Sequence, residues 1–185
     1  MSEEVSPTEK DEPSRPRAFQ RSALEELRTT LEHADAGTLA SLRRMLAPEL
    51  PHPAFFRIAS KPLDEIWPDH GSLRERLESR WAICVQAMAM AITPSKSGRS
   101  SLLSRVPFGE ALALGDVAEM RVLRLLNAPD DHVAPLVRNA VHQLVSRGQS
   151  FDPQDLASLV LSEGDHKESA RRRIARDFYR HFNTE

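Results

Sequence analysis

No stretch of this sequence alternates apolar and polar residues over a useful length, whereas segment after segment between Arg21 and Phe182 repeats its apolar residues at three- and four-residue spacing. A chain patterned in this way has no half-buried strands from which to build a sheet and must bury helical stripes against one another. The expectation is an all-α fold, a compact bundle of roughly eight helices. End signals divide the segments. Ser22 with Glu25 forms a capping box opening ALEELRTTLEHA, and Gly37 with Thr38 closes that helix and starts TLASLRRML, stopped by Pro48. PHPAFFRIA reads as a short helix or turn, Ser72 caps SLRERLESRWAICVQAMAMAI, and PFGEALAL is short again. Asp116 with Glu119 makes a second capping box for VAEMRVLRLLNA; Asp130 caps DHVAPLVRNAVHQLVSR, which Gly148 ends; Asp152 and Pro153 open PQDLASLVL, which Gly164 ends.

A length of 185 residues suits one compact domain or two small helical lobes sharing a core. Residues 1–16, rich in Ser, Pro and Glu, read as a disordered acidic tail, leaving 17–185 as the helical domain. Thr93 to Val106 is the one internal stretch with loop chemistry, so a division into two lobes falls near 93–106. That loop holds Lys96, Arg99 and Arg105 and no acid.

The last segment, Lys167 to Phe182, sorts two residue types onto two faces. Ala170, Ile174, Phe178 and Phe182 make one apolar stripe, while Arg172, Arg176 and Arg180, joined by Arg173, take the far side. The row suits either a phosphate-facing surface or a solvated face at a helix C-terminus, where cations complement the macrodipole. Composition does not choose between them. A net charge of −2 and a pI near 6.4 lack the basic excess of a free-standing nucleic-acid binder. The distribution is more telling: Met1 to Asp35 carries nine acids against five bases, so the chain from Ala36 onward is +2 and can hold basic patches.

Nothing assembles a catalytic or metal centre. The seven histidines are scattered without HExxH spacing, SKSGRSS lacks the residues of a phosphate loop, and the one cysteine, Cys84, stands in an apolar run as an inert thiol. Trp67 and Trp81 read as packing anchors. A cofactor-free binding protein is expected, in a reducing cytoplasm, because there is no disulfide framework and the longest apolar run is too short to span a bilayer.

The order ADAGTLASLRRML, PHPAFFRIA, FGEALAL, AEMRVLRLL, LVRNAVHQLV, FDPQDLASLVL and RRRIARDFYRHF, from about Leu31 to Phe182, resembles the CasB family, the small subunit of type I-E CRISPR Cascade complexes. The resemblance implies a non-enzymatic, all-helical subunit of an RNA-guided interference complex. It would be present as a pair beside the backbone filament and the large subunit, stabilising crRNA, target DNA and the displaced strand. Arg43 and Arg44 match the family's paired arginines, Arg57 the basic residue after the aromatics, Arg121 and Arg138 the basic positions of two later helices, and Gly109 the glycine before the ALA segment. With Lys96, Arg99, Arg172 and Arg176 these arginines form the expected nucleic-acid-binding set. Ile174 stands where the family often has tryptophan, and Glu110 where a basic residue can occur. Two other classes remain open from the residues: a helical DNA-binding regulator, for which TLASLRRML could mimic a recognition helix, and a helical protein-interaction adaptor whose arginines serve solubility.

Overall fold

Nine α-helices and one two-stranded hairpin make up the chain among the described residues, and the core lies where the other eight helices meet the long fourth one or its neighbours. The structure is a computed structural model that describes residues 15–45, 52–64, 71–95 and 98–182. In chain order the helices are α1 (Arg15–His33), α2 (Ala36–Arg44), α3 (Pro53–Asp64), α4 (Gly71–Ala91), α5 (Phe108–Leu114), α6 (Glu119–Leu126), α7 (Val133–Ser146), α8 (Pro153–Leu161) and α9 (Gly164–Phe182). The strands are β1 (Ile92–Ser95) and β2 (Gly98–Ser101), and a single 3-10 turn covers Asp130–His132. α4 packs against α1, α2 and α3 and also against α7 and α8. Its buried run from Trp81 to Ala89 follows from that position, since a helix enclosed on two sides must be apolar nearly all round.

Several boundaries differ from the capping signals, each for a physical reason. α1 begins at Arg15, so Ser22 and Glu25 are interior residues and the acidic tail proper, residues 1–14, lies outside the described residues. α2 is capped by Asp35, whose carboxylate accepts from the Thr38 amide at 2.8 Å, and Gly37 sits inside its first turn. The Thr38 hydroxyl and amide hold the Asp35 carboxyl below its ordinary value. Pro48 and Trp67 lie outside the described residues, and α4 starts at Gly71, before Ser72. Asp116 does not cap α6, which starts at Glu119 after Ala118; Asp116 instead turns the chain with φ 54°, a left-handed conformation that Asp tolerates better than most residues. Asp130 does not cap α7, because its carboxylate is taken by Lys167 and Arg80. Gly164 opens α9, and α8 ends earlier, at Leu161. Two signals hold: Asp152 accepts from the Gln154 amide at 2.8 Å with Pro153 as first helical residue, and Gly148, at φ +67°, follows the end of α7.

The hairpin was not expected. Ile92 pairs with Ser101 and Ser95 with Gly98, four residues a side, followed by Leu103 and Ser104 pairing with Phe151. These strands, ITPS and GRSS, carry Pro, Ser and Gly, and no period-two pattern of apolar residues announces them.

Candidate nucleic-acid interface

α6 owes its orientation to Val122, Leu125 and Leu126, which are buried, leaving Arg121 and Arg124 exposed one turn apart on the outward side. α7 buries Val137, Val141 and Leu144 and turns Asn139, His142, Gln143 and Arg147 toward α6. Between the two helices runs a groove of about 560 Å³ with Leu112, Val117, Leu125 and Leu136 in its floor and Arg121, Arg124, His142 and Arg147 on its rim. Gln143 fixes one end. Its side-chain amide donates to the Asp116 carbonyl at 2.6 Å, while its oxygen accepts from Arg121 at 3.1 Å. Arg147 meets the Asp116 carboxylate at 3.2 Å, a pair exposed on both sides and weak for that reason. Arg124 makes no hydrogen bond or ion pair among the described residues.

Of the arginines expected from sequence, the fold brings only Arg121 into this groove. Arg138 is half-buried elsewhere on α7 and does not line it. Arg44 and Arg57 are exposed on α2 and α3, which pack against each other and against α4 and contribute nothing to the groove. Arg99 stands opposite Pro94 in the hairpin, and Lys96 lies outside the described residues.

Arg43 is bound to the protein itself. Its Nε donates to the Ala89 carbonyl at 2.9 Å and its other nitrogen to the Ile92 carbonyl, so it satisfies acceptors at the C-terminal end of α4. Gln86, buried on α4, returns the arrangement by donating to the Arg43 carbonyl at 3.2 Å and to that of Met45. The two helices therefore cap one another. Replacing Arg43 by Ala should lower stability by about 1–3 kcal/mol, the cost of orphaning half-buried carbonyls, as read by urea denaturation. An unchanged midpoint would contradict this capping role.

The C-terminal row is more paired than its sequence suggests. Arg172 meets Glu168 at 3.0 Å, Arg173 meets Asp155 at 2.9 Å and Arg180 meets Asp177 at 3.4 Å; Arg171 donates to the Ala128 carbonyl. Arg176 alone of the outer row has no such partner among the described residues. The apolar stripe also ends sooner: Ala170, Ile174 and Phe178 are buried, but Phe182 is 42% exposed and merely stacks on Phe178 at 4.8 Å between ring centroids.

Sequence reasoning missed Arg124 and Arg147. Arg124 was legible, since it stands three residues after Arg121 in EMRVLRLL, opposite the apolar face; Arg147 reaches the groove only because α7 folds back beside α6. Among the described residues no cluster of His, Cys, Asp and Glu is suited to a metal, and no helix is long and apolar enough to cross a membrane. Cys84 is buried, and burial pushes its thiol up to about 12.

The comparisons agree with this architecture. The family model described as CRISPR-associated protein Cse2 matches residues 38–179. CasB from Thermobifida fusca superposes with a TM-score of 0.64 at 16% identity, over 89% of this chain and 97% of the other. A chain of E. coli Cascade bound to a PAM-containing double-stranded DNA target superposes with a TM-score of 0.62 at 20% identity, over 86% and 95%. No curated protein sequence matches. With three quarters of its length under one family model and an all-helical fold shared with CasB, the chain belongs to the CRISPR-associated Cse2 family, the CasB small subunits of type I-E Cascade.

Proposed function

We propose that this protein works as a non-catalytic subunit of a Cascade interference complex and that the rim of the α6–α7 groove holds nucleic-acid phosphates there. The observation that carries the reading is the pair Arg121 and Arg124, exposed one turn apart at the edge of a concave surface and joined by Arg147 across it. Guanidinium groups bind phosphate oxygens bidentately and remain charged at any physiological pH, yet such contacts carry no sequence information. None is required. In RNA-guided recognition base pairing reads the sequence, and protein contacts tip a near-balanced strand exchange. Its partners on this reading are crRNA, the target and displaced DNA strands, the other Cascade subunits and a second copy of itself. The E. coli chain of the same fold belongs to a complex bound to DNA, which supports the reading. Arg44, Arg57, Lys96, Arg99, Arg172 and Arg176 are a second tier of contacts.

The test is charge reversal in the assembled complex. Arg121→Glu with Arg124→Glu should leave the circular dichroism spectrum unchanged, because both side chains are exposed, and weaken retention of target DNA about tenfold or more at moderate salt. Arg172→Glu with Arg176→Glu should have a smaller effect. Full retention by the first variant with loss by the second would move the interface to α9; full retention by both would favour an adaptor whose arginines serve solubility.

A further inference from the structure

Holding a phosphate takes exposed cations and requires neither depth nor an apolar lining. The α6–α7 groove has both, with about 560 Å³ of space, Leu136 half-buried in its wall and Leu125 buried beneath. That is the size and mixed lining of a site for a small organic ligand. α7 supplies the polar part of the interior. Asn139, His142, Gln143 and Ser146 follow one another at i, i+3, i+4 and i+7, so a single face of the helix carries all four into the groove. Gln143 is engaged as described above, and the Ser146 hydroxyl donates to the Gln143 carbonyl at 2.8 Å. Asn139 and His142 are exposed and have no hydrogen-bond or ion-pair partner among the described residues. An amide, like a neutral imidazole, offers both a donor and an acceptor.

Arg121 adds a group fixed in advance. Its guanidinium donates to the Gln143 oxygen at 3.1 Å, and the Gln143 amide is held in turn by the Asp116 carbonyl at 2.6 Å. A guanidinium tethered in this way presents N–H edges to phosphate oxygens and a flat face to a ring. The electrostatics choose the sign of the occupant. No acid lines the groove among the described residues, and Asp116 at its end is paired with Arg147 at 3.2 Å. Arg121 and Arg124 are left to an incoming anion. The occupant that fits is anionic at the rim, apolar on the face it lays over the floor and equipped with donors and acceptors along its edge. A nucleotide joins those three properties in one ligand.

We propose that the groove seats one unstacked nucleotide of a single strand, its base on the apolar floor with its edge toward Asn139 and His142, and its flanking phosphates on Arg121 and Arg124. The proposal rests on the function stated above and deepens it: the rim holds the strand, and the interior takes a base. The contact tolerates any sequence, because every base has a face to lay down and an edge of mixed donors and acceptors that an amide and an imidazole meet by turning. In a duplex that edge is paired and that face stacked, so the groove takes its nucleotide from an unpaired strand. Affinity then has two sources, phosphates that are sensitive to salt and a base that is not.

The experiment removes bases and keeps phosphates. The full chain is titrated across a salt series with a single-stranded DNA oligonucleotide of mixed sequence and with an abasic oligonucleotide of the same length. The base-bearing strand should bind about five- to tenfold more tightly, with equal log–log salt slopes because the phosphate contacts are the same. Asn139→Ala with His142→Ala, both at exposed positions, should bring the two strands to within about twofold of each other without altering the slopes. Arg121→Gln with Arg124→Gln should weaken both strands and flatten both slopes. NMR shifts on adding the base-bearing strand should include the Asn139 side-chain amide, which the abasic strand should leave in place. Equal affinities for the two strands, with Arg121 and Arg124 still required, overturn the seated base and leave the phosphate reading standing. A preference for the base-bearing strand that survives whole in Asn139→Ala with His142→Ala, with shifts on another face, also overturns it. Slopes unmoved by Arg121→Gln with Arg124→Gln refute the phosphate reading and, with it, this one. Shifts at α6 and α7 produced by polyglutamate but by neither strand assign the groove to an acidic protein segment and overturn both.

Discussion

Gly109→Ala should unfold the protein at a temperature about 6–12 °C lower than wild type, for a loss near 3 kcal/mol in a domain of this length. At this residue α5 crosses α9 with no room for a side chain. A methyl group there would overlap the Ile174 carbonyl oxygen and stand 2.9 Å from both the Ile174 carbonyl carbon and the Phe178 amide nitrogen. Those atoms are backbone and cannot rotate away, so the helices must part. The buried faces they share, Phe108, Ala111 and Leu112 on α5 with Ile174 and Phe178 on α9, would lose contact together. Gly148→Ala is the comparison: its φ of +67° strains an L-residue but nothing lies near, and its cost should be about 1 kcal/mol. A melting temperature within 2 °C or so of wild type for Gly109→Ala would refute the close crossing.

The second large effect is expected at Asp130. Lys167 is 7% exposed, and its ammonium group donates to the Asp130 carboxylate. Arg80 approaches the other oxygen of that carboxylate at 2.7 Å and meets Glu163 at 2.8 Å, so α4, the 3-10 turn and the start of α9 are tied by four charges. Asp130→Ala removes the counterion and leaves a buried cation, a loss of about 3 kcal/mol, the low end for a broken buried pair because Asp130 is itself half exposed. Adding Lys167→Met should recover most of it. The pH dependence follows from the direction of the shift: hydrogen bonding from Lys167, together with the nearby cations, holds the Asp130 carboxyl below its ordinary 3.8. A depressed carboxylate contributes stability that is fully present above the unfolded value and is lost as pH falls through the folded one. Urea midpoints of wild type and Asp130→Ala should therefore differ at neutral pH and converge as the pH drops below about 4. Curves that stay parallel throughout the acid range below about 4 would contradict the role of the ion pair.

Asp130 also shows where sequence runs out. An aspartate before an apolar helix reads as a cap, but a side-chain oxygen takes the strongest donor within reach, and Lys167 is brought there by α9 from 37 residues away. Lys167 reads only as the first residue of the last segment, and nothing near it in sequence marks it as buried. Asp116 and Ser22 failed as caps for related reasons, one held in a left-handed turn over α7 and the other enclosed in a helix that starts a full two turns earlier. Helical stripes were legible because burial repeats with the helix period: Ala170, Ile174 and Phe178 are inside as their spacing requires. The groove was half legible. Arg121 came from the family resemblance; Arg124 was missed although its spacing from Arg121 in EMRVLRLL carried the signal, while Arg147 and Gln143 depend on a helix-to-helix contact that no local pattern encodes. Arg43 matched the family motif, yet its guanidinium serves the end of α4.

The central claim, that the α6–α7 rim holds phosphates, is tested most directly by the salt dependence of DNA binding in the assembled complex. Each guanidinium that neutralises a phosphate releases counterions and steepens the fall of affinity with salt, by about 0.7 in a log–log slope for a single strand. Arg121→Gln with Arg124→Gln should thus flatten the slope for the displaced strand by about 1.4 while leaving thermal stability unchanged. A slope identical to wild type, with affinity lines that coincide across the salt series, would contradict it.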